Sequence, residues 1–460
     1  MMNVLLAINW QQVGLQAAQL ILALSILVIM HELGHFIPAK IFKCRVEKFY
    51  LFFDPWFSLL KKKVGETEYG VGWLPLGGYV KIAGMVDETM DKEQLKKPAE
   101  QWEFRSKPAW QRLIIMIGGV TVNVLLAFFI YAMILFTWGE TRLPISSMKD
   151  GIWVVDSLGN EIGLQSGDRI VAVNGKEVKY FEDLNASVLL GEKLTIVREG
   201  QTSEIDIPVN FIGKVVEKGK RTLLFMPRVP AYVGEVTKGS QAEKAGLRTK
   251  DRIVGVNGSD IKYYDELRPR LSAFKDSDVT IRVIRDGQET ALRAHTNADG
   301  TIGFYPALPS LDELEKMGMY KFENKQYGFF ASFPAGVSKA IDKLGSYIGQ
   351  FKKILNPSTG GYKGLGGFKS MGSIFPKSEW NWEVFWSITA FFSLMLAFMN
   401  LLPIPALDGG HVLFTLYEMV TRRKPSEKFL EYAQIVGMVL LLSLLLYANG
   451  NDWFGWGRSK

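Results

Sequence analysis

Four stretches of the chain are apolar almost without interruption, at about 13–36, 112–137, 384–402 and 433–448. Roughly 20 such residues carry a helix across the hydrocarbon core of a bilayer, so each window predicts a membrane span, the last being the shortest. Trp453, Phe454 and Trp456 follow that window and Tyr432 and Tyr447 bracket it, as expected of aromatic anchors at a membrane surface. Residues 1–30 carry no formal charge, so the first window lacks the basic start of a secretory leader and reads as a span.

Between the second and third windows the periodicity changes. The stretch Gly163-Leu164-Gln165-Ser166-Gly167-Asp168-Arg169-Ile170-Val171-Ala172-Val173-Asn174-Gly175 recurs 83 residues on as Gly246-Leu247-Arg248-Thr249-Lys250-Asp251-Arg252-Ile253-Val254-Gly255-Val256-Asn257-Gly258. Each copy continues into a short helical run and a β-branched strand with a turn, which predicts two small α+β domains over 145–211 and 229–306. Alternating side chains from Thr67 to Leu74 and the turn Pro75-Leu76-Gly77-Gly78 predict a membrane-associated β-hairpin or sheet inside the loop 38–111, its last strand being Tyr79–Ile82. Val337, Ile341, Leu344, Ile348, Phe351 and Leu355 recur at helical spacing among lysines, predicting an interfacial amphipathic helix over 334–356. The glycine-rich run Gly360–Lys369 has no preceding strand and no Gly-Lys-Ser/Thr, so it reads as part of a flexible hinge over 357–383 and not as a phosphate loop. The fold class is therefore a multi-span α-helical membrane protein with four transmembrane helices, a membrane-associated β-structure and two inserted α+β domains.

Composition changes this picture little, because averaging hides the segregation: 48% of the 460 residues are hydrophobic, yet the mean hydropathy is only +0.07. Charge adds orientation. Lys40, Lys43, Arg45, Lys48, Lys61, Lys62, Lys63, Lys96, Lys97, Arg105, Lys107 and Arg112 crowd between the first two windows, and Arg422, Arg423, Lys424 and Lys428 follow the third. Basic loops stay on the cytoplasmic side, which puts both termini and the 138–383 segment outside. The net charge of +7 is clustered beside the spans and forms no single stripe, so anionic lipid accounts for it and nucleic acid is not an expected partner. Cys44 is the only cysteine, so the inserted domains hold no disulfide.

Chemistry concentrates where the first window ends, at His31-Glu32-Leu33-Gly34-His35. Helical residues four apart share a face, so both imidazoles can hold one metal ion while Glu32 reaches a water beside it. The competing reading makes them core residues of an apolar helix. Ionisable groups at bilayer depth cost roughly 2.5–3.5 kcal/mol each on insertion scales, which favours function. A catalytic zinc takes a third protein ligand and keeps one position open. Asp408 is a candidate, in Asn400-Leu401-Leu402-Pro403-Ile404-Pro405-Ala406-Leu407-Asp408-Gly409-Gly410-His411, where two prolines interrupt the helix; its competing reading is a helix cap. His411 and His295 read as structural. Gly118-Gly119-Val120-Thr121-Val122-Asn123 sets small residues beside a buried amide, suiting close helix contact.

Together the HExxH and NxxPxPxLDG motifs make the chain resemble the site-2 protease family of intramembrane zinc metalloproteases, over essentially its whole length. The resemblance implies that His31, His35 and Asp408 bind Zn2+, that Glu32 is the catalytic base, and that Asn400 holds the substrate backbone or stabilises the transition state. A similar PLGGYVK segment in the family makes Tyr79, Val80, Lys81 and Ile82 substrate contacts, against a purely structural hairpin. The repeats resemble a PDZ tandem, with Gly163, Leu164, Gly246 and Leu247 in its loops, placed to filter substrates by size or to read a chain terminus. Val120 stands where the family usually has proline. The activity implied is cleavage, in a bacterial inner membrane and with the metal toward the cytoplasm, of transmembrane segments of pre-trimmed single-span proteins. An anti-sigma factor of envelope stress and remnant signal peptides are the examples. Two alternatives stay open: a non-catalytic membrane-anchored PDZ scaffold, and a membrane-tethered zincin of the soluble type.

Overall fold

The computed structural model describes residues 9–75, 77–85, 98–219 and 223–456; Leu76, Lys96 and Lys97 of the expectations above lie outside them. The chain divides into two compact units, one of Met1–Gly139, Gln326–Leu355 and Tyr362–Lys460, the other of Glu140–Lys325 and Asn356–Gly361.

In the first unit the helices are α1 (Trp10–Ile41), α2 (Ala109–Thr137), α3 (Phe329–Leu355), α4 (Phe368–Ser373), α5 (Trp382–Leu401), α6 (Asp408–Thr421) and α7 (Glu427–Phe454). Four of these, α1, α2, α5 and α7, are long and apolar enough to cross a membrane. The window that looked short, 433–448, sits inside a 28-residue helix whose start is capped by the Ser426 hydroxyl accepting from the Phe429 N–H. The third span, expected over 384–411 with the Asn400–His411 stretch included, is not one element. Proline has no N–H to donate, so Pro403 and Pro405 end α5 at Leu401 and a separate helix begins at Asp408.

At the centre lies α2, packed against α1, α3, α5 and α6. Glycines set the closest approach: a Cβ on Gly34 of α1 would strike the Gly118 carbonyl of α2, and one on Gly118 would strike the Gly34 carbonyl. Strands β1 (Val46–Leu51), β2 (Phe53–Val64), β3 (Thr67–Leu74) and β4 (Tyr79–Ile82) form one sheet in the order β2-β3-β1-β4. β1 runs parallel to β3 and antiparallel to β4, whose outer edge has no strand partner among the described residues. The expected last strand thus has the expected bounds, in a four-stranded sheet.

α3 docks on α2 and α5 through Ser332, Gly336 and Ala340, with Leu344 packed on the same cluster and Phe351 edge to face with Phe398 of α5, while Ile341 and Leu355 are exposed. Small side chains let the backbones meet, a Cβ at Gly336 falling against the Ala132 amide, so the buried face joins these small residues to part of the apolar stripe. One expectation needs correction. The segment expected to be a flexible hinge is folded. Asp452 of α7 accepts from the main-chain N–H groups of Gly367 and Ser370 at 2.8 and 2.9 Å, Asn451 donates to the Lys363 and Leu365 carbonyls, and Phe375 is fully buried beside Phe385 and Phe392. Glycine freedom there serves polar side chains that arrive from the far end of the sequence.

In the second unit each repeat builds its own core. The first has a sheet ordered Gln201–Asp206, Lys193–Arg198, Arg169–Val173, Lys176–Glu177, with Ile152–Val154 paired to Phe225–Pro227. The second is ordered Gln288–His295, Asp278–Arg285, Arg252–Val256, Tyr232–Val236, Phe304–Ala307. The first copy outruns its expected end at 211, because Leu224 and Phe225, and Leu314, Tyr320 and Phe322 from beyond the second copy, complete its core. Arg228, in the connection, pairs with Asp265 at 2.7 Å and Glu266 at 2.8 Å on the second copy.

Candidate metal centre and active site

The HExxH residues lie well inside α1, so their backbone amides are spent in the helix and only their side chains are free to converge. His31 and His35 are buried and their rings meet edge to face at 4.9 Å between centroids. Asp408 opens α6, after a loop in which Ala406 holds a φ of +89°, a strained conformation for a residue with a Cβ. Backbone crowding fixes that loop: a Cβ at Gly409 would strike the Leu402 carbonyl, and Gly437 of α7 seats the Pro405 carbonyl where its own Cβ would be.

Three ligand-type atoms converge. Asp408 Oδ2 lies 3.2 Å from His31 Nε2 and 3.2 Å from His35 Nε2, and the two Nε2 atoms are 3.3 Å apart. Oδ2 is buried yet has no hydrogen-bond partner, so these contacts have hydrogen-bond length without hydrogen-bond direction. Lone pairs aimed at a common point, and not at each other, give that combination. A tetrahedral zinc with bonds of about 2.0–2.1 Å needs ligand atoms about 3.3 Å apart, so the triangle has the right edges for one. Among the described residues this is the one group of three or more His, Cys, Asp or Glu side chains placed to hold a metal. The residues fit the ion.

Around the triangle, Asn400 Nδ2 stands 3.3 Å from His31 Nε2, and the Nδ1 atoms face away from it, His35 toward the Ile115 carbonyl at 2.8 Å and His31 toward the Asn123 amide at 3.2 Å. Glu32 is half-buried beside the histidines, and the Val80 main chain of β4 lies close to its carboxylate. The sheet edge and the candidate base therefore meet. The β4 side chains are largely taken up by the fold: the Tyr79 hydroxyl donates to Asp54 at 2.8 Å and its ring stacks on Tyr50, Lys81 pairs with Glu47 at 3.2 Å, and Ile82 is buried among Cys44, Val46 and Ile115. What β4 leaves open is main chain.

In the repeats, the Gly-Leu positions serve the fold. Leu164 and Leu247 are core residues, their N–H groups donate to Gly159 and Ala242, and the carbonyls of Gly163 and Gly246 accept from Arg198 and Arg285. No donor is left there to grip a ligand. The terminal strand Phe304–Ala307 of the second sheet offers an edge instead, a feature the repeat motif does not contain. His295 lies between Asp278 and Asp276 at 2.8 and 3.2 Å, far in sequence from the metal triangle. Sequence reading missed Asn123 and Ile115 as partners of the histidines; the buried amide in an apolar helix was the available signal for the first, and a main-chain carbonyl leaves none for the second.

Comparison with known proteins places this geometry. A Vibrio cholerae relative whose name assigns it to the zinc metalloproteases is 29% identical over 94% of this chain and 97% of its own. The regulator of sigma E protease of Haemophilus influenzae is 27% identical over 94% and 97%. The regulator of sigma-E protease RseP of Escherichia coli is 26% identical over 95% and 98%. The model of peptidase family M50 matches residues 19–444, which take in the HExxH helix, the sheet, both repeats and the Asp408 loop. The chain belongs to peptidase family M50, the site-2 protease family of zinc-dependent metalloproteases.

Proposed function

We propose that the protein is an intramembrane zinc endopeptidase in which His31 Nε2, His35 Nε2 and Asp408 Oδ2 hold the ion and Glu32 is the general base. The triangle of Nε2 and Oδ2 atoms, with edges of 3.2, 3.2 and 3.3 Å, carries this reading. A zinc ion bound there would supply Lewis acidity, lowering the pKa of a water toward neutrality and polarising a carbonyl. Glu32 accepts the proton of the attacking water at a carboxylate oxygen and returns it to the leaving amine nitrogen. Asn400 offers an amide donor beside the triangle for the substrate carbonyl or main chain.

A membrane helix hides its peptide bonds in its own hydrogen bonds, so its cleavage needs local unwinding and replacement partners. The free edge of β4, with Val80 facing Glu32, supplies them by strand addition. Tyr79, Val80, Lys81 and Ile82 act there through main-chain atoms. The substrates are transmembrane segments of single-span proteins already trimmed outside, an anti-sigma factor or remnant signal peptides among them. The repeats are PDZ domains that limit which substrates enter, and the edge Phe304–Ala307 is where a trimmed terminus would add. The protein sits in the bacterial inner membrane, termini and repeats periplasmic, metal toward the cytoplasm; the basic residues after α1 and α6 support this orientation.

Incubating detergent-purified protein with a truncated single-span substrate tests the reading, alongside Glu32→Gln and a chelator-treated sample. Cleavage by the untreated protein alone is expected. Cleavage of soluble casein with the membrane substrate left intact would favour the tethered zincin, and no cleavage with zinc bound would favour the scaffold.

A further inference from the structure

We infer that α2, which contributes no metal ligand, is the template that fixes both histidines in the tautomer metal binding requires, with Asn123 as the positioning residue for His31 and the Ile115 carbonyl for His35. This rests on the zinc reading above.

Both imidazoles present Nε2 to Asp408, so an ion there takes the Nε2 lone pairs and leaves the protons on Nδ1. Each Nδ1–H then needs a buried acceptor, and α2 provides two. For His35 it is the main-chain oxygen of Ile115 at 2.8 Å, which can only accept, so His35 Nδ1 is fixed as a donor whatever occupies the site. For His31 the one side chain among the described residues within hydrogen-bonding reach of Nδ1 is the Asn123 carboxamide, at 3.2 Å. Asn123 is fully buried and its Oδ1 has no partner. The oxygen and nitrogen of a carboxamide exchange places by a half-turn, which brings Oδ1 to Nδ1–H and turns an unpaired acceptor into the partner the metal-bound tautomer needs.

Two further contacts make α2 a fitted support. The Ser393 hydroxyl of α5 donates to the Asn123 main-chain carbonyl at 2.7 Å, tying this point of α2 to the helix that carries Asn400. Gly119, one turn before Asn123, gives the rings their room: a Cβ there would lie 2.6 Å from His31 Cε1 and closer still to His35 Nε2. Ile115, Gly119 and Asn123 are spaced four apart, so they form one stripe of α2 behind the two imidazoles. A carboxamide is not needed to solve a packing problem that leucine would fill. Its place behind His31 is explained by the proton it receives.

The test uses full-length protein in detergent. Zinc affinity is measured by competition with a chromophoric chelator, and ligand geometry by the visible spectrum of the cobalt-substituted protein. Asn123→Leu keeps the volume and removes the acceptor; zinc affinity is expected to fall 10–100-fold with an altered cobalt spectrum. Asn123→Asp keeps an acceptor toward Nδ1 and is expected to stay within threefold of wild type. A merely structural role for Asn123 would lower thermal stability in both variants and leave zinc affinity unmoved, which would overturn the inference. A readout free of substitutions comes from 15N-histidine labelling, since the chain has only four histidines. Zinc-loaded protein should show His31 and His35 protonated at Nδ1 and metal-bound at Nε2, whereas Nδ1 ligation by His31 overturns the template. A wild-type protein that takes up no zinc would overturn the metal reading and the template with it; zinc uptake with an indifferent Asn123→Leu variant overturns the template alone.

Discussion

Two buried aspartates in the repeats and one half-buried aspartate in the membrane unit meet very different surroundings. Asp168 and Asp251 are each 1% exposed, and each is fully supplied with donors. Arg198 reaches Asp168 at 2.7 and 2.8 Å while the Gln165 N–H adds a third bond; Arg285 and the Arg248 N–H repeat the arrangement at Asp251, at 2.8, 2.7 and 2.8 Å. Asp408 Oδ2 has two imidazole nitrogens beside it and no hydrogen bond. A buried carboxylate with a forked guanidinium and an amide is complete and needs nothing more. One surrounded by other lone pairs is completed only by a cation. Burial of an acid is thus no mark of function by itself; the identity of its neighbours decides.

The sharpest way to break this contrast is to remove the unmatched carboxylate. Asp408→Ala should abolish both zinc binding and cleavage, whereas Glu32→Gln should hold zinc and lose about 10²–10⁴-fold in cleavage rate, the usual weight of a general base. Metal analysis of the two purified variants checks this, and full zinc in Asp408→Ala would remove Asp408 from the ligand set.

Asparagine substitution should then act with opposite sign in the two regions. In metal-free protein Asp408→Asn supplies a donor among acceptors and should raise the thermal midpoint. Asp251→Asn puts an amide donor in a buried carboxylate site that faces only donors and should cost about 1–3 kcal/mol. Thermal unfolding of chelator-treated samples reads both. Arg285→Met, which strands the same carboxylate from the other side, should cost a similar amount and leave zinc affinity unchanged, since that residue lies in the other unit.

The smallest effect concerns His295. Hydrogen bonds to Asp278 and then Asp276 hold its pKa above the ordinary 6.5, so the charged imidazole is the favoured folded form. Its contribution is complete below pH about 6.5, where the unfolded chain also binds the proton, and is lost as pH rises through the higher folded value. Thermal midpoints at pH 6 and pH 9 should therefore converge slightly in His295→Gln, relative to wild type. An unchanged difference would show that the cluster contributes nothing.

Much of the membrane unit was legible before any coordinates, because span length and the HExxH spacing are local properties. Three of the four apolar windows lie within spanning helices and the other overruns α5 by one residue, and β4 has the bounds read from Tyr79 to Ile82. The repeat motif announced two similar modules, yet its Gly-Leu positions proved to be core and turn, since side-chain burial is invisible in a motif. The hinge at 357–383 was misread for a comparable reason. Part of its main chain finds its partners only in α7, where Asn449, Asn451 and Asp452 bring hydrogen bonds from about 80 residues away.

Sequence alone therefore determined what short-range physics governs: hydrophobic length, helical spacing of the two imidazoles, and proline breaks that end α5 before Asp408. Only the tertiary structure decided which of several enclosed carboxylates lacks a donor, which helix stands behind the histidines, and which strand edge stays open. Those depend on atoms that meet across 80 to nearly 400 positions of chain, as His35 meets Ile115 and His31 meets Asp408, and no local pattern encodes such a meeting.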